Sequence, residues 1–155
     1  EAIRKESPEI AIRTTMMVGH PGETEEEFQK LCRFVEDMKF ERLGVFTYSH
    51  EDGTHAYTMA DDIPEEVKEE RAADLMEIQE RISLEKNKEK VGVVVNVLFD
   101  RIEGGNFVGR TEWDSPEVDN EVLVPIDESY LRIGDMHKVE ITSASEFDLY
   151  GTLVQ

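Results

Sequence analysis

The sequence predicts an α/β segment followed by a small five-stranded antiparallel β-barrel of OB-like kind. Near the N-terminus, an apolar run stops at a Gly/Pro turn that leads into a capped amphipathic helix, and a second apolar run follows. A long stretch without Gly or Pro then predicts a second helix. Five short apolar runs separated by turn residues complete the chain, which is the pattern of a small all-β barrel.

The first strand is predicted over residues 10–18, and it stops at the turn Gly-His-Pro-Gly. Thr24 followed by Glu27 is a capping-box pattern, which marks the start of a helix. That helix is predicted over residues 24–39, because apolar side chains recur at helical spacing at Phe28, Leu31, Cys32, Val35 and Met38. A second strand over residues 42–48 completes a strand–helix–strand order, which implies parallel strands.

A polar loop over residues 49–63 precedes Pro64, a residue suited to the first position of a helix. After Leu84 the sequence turns polar, so an exposed helix end is expected near residue 90. We therefore divide the chain into residues 1–63, a connecting helix over 64–90, and a barrel over 91–155. The barrel strands are predicted at residues 91–99, 107–112, 122–126, 138–142 and 147–153.

The first segment offers too little structure to form a domain by itself. Parallel strands are normally covered on both faces and paired at both edges, which two strands and one helix cannot achieve. We therefore expect residues 1–63 to be the last part of a larger α/β domain. Residues 1–60 alone should be poorly folded, whereas residues 91–155 should fold alone.

The charge is strongly acidic in both halves of the chain. The 155 residues carry a formal charge of −19, with 13 Lys+Arg and 23 Asp+Glu in residues 1–90 and 4 and 13 in residues 91–155. Such a field repels nucleic acid and attracts basic proteins, although acidic charge also serves solubility alone. We expect no nucleic-acid partner and, without a long apolar run, no membrane partner.

The single cysteine, Cys32, excludes an internal disulfide and favours a reducing cytoplasm.

Three runs carry a resemblance to a known family. Residues 14–28 (TTMMVGHPGETEEEF), 43–54 (LGVFTYSHEDGT) and 109–119 (GRTEWDSPEVD) resemble the C-terminal part of radical-SAM methylthiotransferases. They are most similar to the RimO branch, which modifies an aspartate of ribosomal protein S-twelve. Residues 134–151 resemble the closing strands of the TRAM domain that ends these enzymes. The resemblance extends from about residue 12 to residue 151.

The resemblance implies that residues 1–63 are the last βα units of a partial TIM-like radical-SAM barrel and that residues 91–155 are a TRAM domain. It implies S-adenosylmethionine (SAM) and two 4Fe-4S clusters as cofactors of the full-length enzyme. A 5′-deoxyadenosyl radical would abstract hydrogen from the β-carbon of the aspartate before the methylthio group is added. Because the cluster cysteines are absent here, we expect this chain alone to be inactive and to hold no catalytic residue.

The resemblance also places candidate cofactor-binding residues at the ends of the two predicted strands. They are Val18, Gly19, Pro21, Gly22, Glu23 and Tyr48. From the residues alone, an ordinary strand–helix turn and strand-end packing remain open, and Glu23 would equally complement a helix dipole. Two positions depart from the family pattern: His20 stands where an aromatic residue is common, and His50 where proline is common.

An acidic loop in the barrel supplies the candidate partner-binding residues Glu112, Trp113, Asp114, Glu117 and Asp119. We expect it to dock the basic ribosomal protein S-twelve, although Trp113 by itself fits the barrel core better. Arg110 and Arg132 either pair with this acid or touch a substrate. The loop histidines His20, His50 and His55, with Asp52, lack metal-ligand spacing, so no metal site is expected.

Three other functions remain open on the sequence. One is a tRNA-adenosine methylthiotransferase of the same superfamily, against which the acidic charge argues. Another is a non-catalytic protein-docking module, and the third is a radical-SAM enzyme with a different substrate.

Overall fold

The computed structural model describes residues 2–8, 10–116, 119–126 and 131–154 of the chain. It divides into two compact units, Glu1–Ile82 and Ser83–Gln155, and the division falls within the longest helix. Among the described residues, none of the helices is both long enough and apolar enough to cross a membrane.

The first unit is an α/β unit built on two parallel strands. Its elements are α1 (Ala2–Glu6), β1 (Arg13–Val18), α2 (Glu25–Met38), β2 (Arg42–Thr47), a short 3-10 helix (Ala56–Thr58) and the first part of α3 (Glu65–Glu89). Arg13 lies opposite Arg42, and Val18 lies opposite Thr47. The predicted strand–helix–strand unit is therefore confirmed, although β1 begins three residues later than expected.

Helix α2 begins at the predicted capping box. The Thr24 hydroxyl accepts a hydrogen bond from the Glu27 backbone N–H, and the Thr24 backbone N–H donates to the Glu27 carboxylate. The backbone hydrogen bond from Thr24 lowers the pKa of Glu27, because it favours the charged carboxylate. At the other end, Lys39 takes the left-handed conformation with φ 46°, and its N–H donates to the Val35 carbonyl.

Helix α1 was not expected from the sequence, and it has only five residues. The Arg4 guanidinium donates to the carbonyl oxygens of Met38 and Lys39, which are left without helical partners at the end of α2. It also forms an ion pair with Glu41 at 3.1 Å. Arg4 thus satisfies acceptors at a helix end that lies far away in sequence.

The predicted apolar face of α2 forms much of the first core. Phe28, Cys32 and Val35 are buried there, and Leu75 and Ile82 of α3 complete the same cluster together with Val18, Phe40 and Leu43. Burial raises the pKa of the Cys32 thiol. Cys32 is therefore a small core residue rather than an available thiolate.

The second unit is a closed five-stranded barrel in the order β3-β4-β5-β7-β6. Its strands are β3 (Val94–Glu103), β4 (Asn106–Arg110), β5 (Glu121–Pro125), β6 (Met136–Ala144) and β7 (Asp148–Leu153). The core lies inside this ring and is made of alternating strand residues such as Val95, Val97 and Phe99. The five predicted strands are thus confirmed, with ends that shift by up to four residues.

One part of the predicted barrel is wrong, because the strands are not all antiparallel. β5 and β7 pair in parallel, with Val122 opposite Leu149, while the other four neighbouring pairs are antiparallel. Strand directions cannot alternate all the way around a closed ring with an odd number of strands. At least one parallel pair is therefore a geometric necessity, and the architecture is a mixed barrel.

The last turns of α3 belong to the barrel unit and include two buried polar residues, Ser83 and Asn87. Asn87 is fully buried, and its amide donates to the Ser145 carbonyl at 3.0 Å. The Asn120 amide donates to the Asn87 side-chain oxygen at 3.0 Å, and the Ser83 hydroxyl donates to the Glu146 carbonyl at 2.6 Å. The prediction of a solvent-exposed polar end is therefore wrong at this position.

Candidate functional site

The carboxyl ends of β1 and β2 lie side by side and bring the predicted cofactor-binding residues together. The Tyr48 backbone N–H donates to the Val18 carbonyl at 2.8 Å, directly beyond the paired strands. The turn over residues 19–23 follows Val18 directly, and its His20 ring lies 5.5 Å from the Tyr48 ring between centroids. Ligands of α/β sheets collect at this edge, which makes the arrangement a candidate site on geometric grounds.

Gly19 is required in this turn for two separate reasons. Its φ is 76°, and a Cβ at this position would lie 2.3 Å from Cγ of Lys68. The Lys68 side chain is buried and cannot easily move, since its ammonium donates to Asp61 and pairs with Glu65 at 3.3 Å. The hydrogen bond to Asp61 is the main reason that the pKa of Lys68 is raised. Lys68 is thus a permanent cation packed against the turn.

The Glu23 carboxylate supports the turn from inside. Its Oε1 atom accepts from the Gly19 backbone N–H at 3.1 Å and from Nη1 of Arg71 at 2.8 Å. Arg71 also donates to the Glu23 carbonyl at 3.2 Å, and its guanidinium carbon lies 5.4 Å from the centre of the Phe28 ring. Glu23 is therefore the partner of a buried arginine, and its charge holds the turn against α3.

Lys68 and Arg71 are parts of this site that were not expected from the sequence. Arg71 stands in the apolar stripe of α3, between Val67 and Leu75. A charged residue on an otherwise apolar helix face is a signal, since buried arginine needs a charged partner. The sequence does not identify that partner, because Glu23 is 48 positions away.

Four rings line the edge beside the turn. The His20 and Tyr48 centroids are 5.5 Å apart, and the Tyr48 hydroxyl lies 3.0 Å from Nδ1 of His50. His50 in turn stacks on Tyr57, with a centroid distance of 4.6 Å. Tyr48 is buried, whereas the other three rings are exposed. His20 and His50 are therefore neighbours of the same tyrosine.

The residues at this edge fit one wall of a nucleoside site. The exposed His50 and Tyr57 rings offer faces on which a planar base can stack. At Gly22 a Cβ would meet no atom within 4 Å, so this side of the turn is open to an approaching group, while the Gly22 N–H donates to Asp62. SAM fits such a wall, since its adenine base is a planar group that can stack on these rings.

Iron–sulfur clusters do not fit this chain. Their ligands are thiolates, and Cys32 is buried in the core with a raised pKa. Within the described ranges, the structure groups no three His, Cys, Asp or Glu side chains in a way that suits a metal ion.

The side chains of the acidic loop after β4 differ in how far they are buried. Glu112 is exposed, but Asp114 is buried and accepts a hydrogen bond from the Thr111 hydroxyl. Trp113 packs partly buried against the barrel core, and the Lys90 ammonium lies 5.0 Å from its ring centre. Asp119 is half-buried and accepts from the Ser115 N–H, and Glu117 lies outside the described residues.

The two arginines considered with this loop have different surroundings. Arg110 pairs with Asp100 on the neighbouring strand at 3.1 Å, which identifies an acid of β3 as its partner. Arg132 is exposed.

Comparisons with known proteins give both a family match and close relatives. A family model described as TRAM domain matches residues 91–154. A protein of Cytophaga hutchinsonii named "Ribosomal protein uS12 methylthiotransferase RimO" is 59% identical over 155 residues, which is 100% of this chain and 36% of that protein. Proteins of the same name from Christiangramia forsetii and Porphyromonas gingivalis are 60% and 54% identical, over 96% and 99% of this chain and 33% and 36% of their own lengths. The chain thus spans about a third of the length of these curated relatives.

Proposed function

This chain belongs by sequence to the uS12 methylthiotransferase (RimO) family, and from that premise we propose that it is the C-terminal part of such an enzyme. The whole protein would add a methylthio group to the β-carbon of an aspartate in ribosomal protein uS12 (S-twelve). The observation that carries the proposal is 59% identity along all 155 residues to a relative with that name. A modifier of a ribosomal protein would work in the cytoplasm.

In the proposed enzyme, the edge formed by Val18, Gly19, Pro21, Gly22, Glu23 and Tyr48 is one wall of the SAM site. SAM, when bound, supplies the radical that removes hydrogen from the substrate carbon. The task of this chain is to hold the wall in one shape. Arg71 and Glu23 fix the turn from within, and Lys68 fills the space behind Gly19. Such bracing supports the proposal, because reacting groups must be held in a narrow range of positions.

The two 4Fe-4S clusters would be held by residues of the whole protein outside this chain. The chain has one cysteine, and burial raises its pKa. We therefore propose that the chain alone does not cleave SAM.

The barrel would dock the protein substrate. Its 65 residues carry 13 Asp+Glu and 4 Lys+Arg, so a basic ribosomal protein is attracted and RNA is repelled. This charge is the reason to prefer uS12 over tRNA.

A chimera tests the activity directly. These 155 residues would replace the homologous third of the Cytophaga hutchinsonii relative, and uS12 and tRNA would each be assayed by mass spectrometry. We expect one methylthio group on uS12 and none on tRNA. Modified tRNA would instead identify the tRNA-modifying branch. A folded chimera that modifies neither, beside an active parent enzyme, would favour a docking module.

Binding gives a second test that needs no cluster. The full chain would be titrated with uS12 and with tRNA at about 50 and 200 mM salt, a range over which electrostatic binding weakens strongly. We expect salt-sensitive binding to uS12 and none to tRNA. The opposite preference would contradict the proposed substrate.

A further inference from the structure

A groove of about 250 Å³ lies on the outer face of the barrel. It is lined by Asn96 and Leu98 of β3, Met136 of β6, Arg110 of β4 and residues 111, 112 and 114 of the following loop. Leu98 pairs with Met136 on one side and with Arg110 on the other, so these three residues lie side by side across the face. The neighbours Val97 and Phe99 are buried in the core, which turns Leu98 outward.

The groove is smaller than most small-molecule sites. Small-molecule sites usually enclose about 300–1,000 Å³. A volume below that range has room for one or two side chains. Its exposed lining includes one large apolar side chain, since Met136 is 64% exposed.

We propose that this groove receives an apolar side chain from a basic segment of the protein substrate, while Glu112 binds a lysine or arginine next to it. The inference rests on the proposed function, and it narrows the docking site from the acidic loop as a whole to this groove. The occupant is a surface segment of uS12 in which an apolar residue has a basic neighbour.

The charges around the groove favour a basic occupant. Arg110 is already paired with Asp100 at 3.1 Å, so its charge is largely compensated. The part of the chain that the structure describes supplies no ion pair to the exposed Glu112 carboxylate. A second copy of this chain would bring another −19 charges, and nucleic acid would bring phosphates, so both are disfavoured.

The loop that borders the groove is held in place before any partner arrives. Asp114 accepts from the Thr111 hydroxyl, and the Trp113 N–H donates to the same hydroxyl at 3.3 Å. The Trp113 ring packs against the barrel core. Because this side of the groove is already ordered, a partner loses little free energy in ordering it.

The closed barrel also restricts how a partner can bind. In a closed ring each strand has neighbours on both sides along part of its length, which leaves little free backbone for an incoming peptide to pair with as an added strand. Recognition on this surface therefore depends on side chains that enter a groove.

The test measures uS12 binding by calorimetry with the full chain and matched variants. Met136→Ser removes the exposed apolar surface of the groove and should weaken binding about tenfold, the effect of losing a central contact. Ile102→Ser is the control, because Ile102 is a 56% exposed apolar residue of β3 that does not line the groove. We expect this control to change the affinity less than twofold.

A second pair of variants tests the charge. Glu112→Gln should weaken binding and reduce its dependence on salt, whereas Glu89→Gln makes the same charge change on an exposed residue of α3 and should do neither. Amide spectra of the wild-type chain need no variant at all. On titration with uS12, we expect the shifts to concentrate at Leu98, Glu112 and Met136.

The outcomes separate this inference from the proposed function. No binding of the wild-type chain to uS12 would overturn the proposed docking role and the groove together. Two results would overturn the groove proposal alone. One is binding of the wild-type chain that Met136→Ser and Ile102→Ser weaken equally, and the other is amide shifts confined to another face of the barrel.

Discussion

At the scale of single residues, Gly19 and Gly22 show how two glycines in one turn differ. Both have positive φ, at 76° and 82°. A Cβ at Gly19 would overlap Lys68, whereas a Cβ at Gly22 would meet open space. Alanine at Gly22 therefore tests backbone strain alone, whereas alanine at Gly19 tests backbone strain together with steric overlap.

We expect Gly22→Ala to cost about 1–2 kcal/mol, the penalty for an ordinary residue in the left-handed region. Gly19→Ala should cost about 1–3 kcal/mol more, because the stem of Lys68 cannot move away while its ammonium is held by Asp61. Urea unfolding of the two variants measures the difference. Equal losses would mean that Lys68 does not pack on the turn in solution.

Asp148 gives a residue-scale prediction about pH. Burial, and then the nearby Glu121 carboxylate, raise the pKa of Asp148 above its ordinary value of 3.8. The ionised form is thus less favourable in the folded state than in the unfolded state. Its cost is present at neutral pH and disappears as the pH falls below the ordinary value.

Asp148→Asn should therefore raise the urea midpoint at pH 7, and its advantage over the wild type should shrink as the pH approaches 4. The exposed Asp135→Asn makes the same chemical change away from Glu121 and serves as the control. An advantage of Asp148→Asn that grows toward acid would contradict this account.

Some of these residue roles were predictable from sequence and others were not. Thr24 and Glu27 were identified because the capping box joins positions three residues apart. Lys68, Arg71 and Asn87 were not assigned their roles, because their partners lie on distant elements. Burial of a polar residue depends on such tertiary partners, which local patterns do not contain.

At the scale of elements, the extents of α2 and α3 were predicted well, because apolar periodicity and helix caps are local properties of the sequence. Helix α1 was missed, since five residues give no periodic signal and its Arg4 contacts lie at the end of α2. The residues of the proposed SAM wall were brought together by the parallel pairing of β1 and β2. The use of α3 to brace that wall is a tertiary feature.

The last turns of α3 lead to a prediction about fragments. Residues 83–155 should be more stable than residues 91–155, because the shorter piece loses Asn87 and Ser83, which satisfy the Ser145 and Glu146 carbonyls. Thermal unfolding of both fragments measures the difference.

In the full chain, Asn87→Ala should lower the free energy of unfolding by about 1–3 kcal/mol. The exposed Lys88→Ala is its matched control and should cost less than about 0.5 kcal/mol.

At the scale of the whole molecule, the fold class was predictable and the strand directions were not. The order of α/β unit, long helix and five-stranded barrel follows from the positions of Gly and Pro residues and from changes in the spacing of apolar residues. The parallel β5–β7 pair follows from ring closure, which is a property of the assembled barrel. Counting the strands would have shown that one such pair was needed.

The composition of the first core supports the expectation that residues 1–60 are poorly folded alone. That fragment lacks Leu75 and Ile82, and it lacks the Gln79 amide that donates to the Phe40 carbonyl at 3.1 Å. Residues 1–82 restore all three. We expect dispersed amide signals and a cooperative transition from the longer piece and neither from the shorter one. A cooperative transition from residues 1–60 would show that α3 is dispensable.

The closed ring also determines the order in which the barrel can assemble. β3 and β4 meet across a short turn, and β6 and β7 follow one another directly, so these hairpins form over small loops. The β3–β6 pairing joins Leu98 to Met136 across the whole of β4 and β5. Closing so long a loop costs chain entropy before any contact compensates for it, so this pairing should form late and limit the folding rate. Joining the barrel ends by circular permutation between β5 and β6 would shorten that loop and speed up refolding.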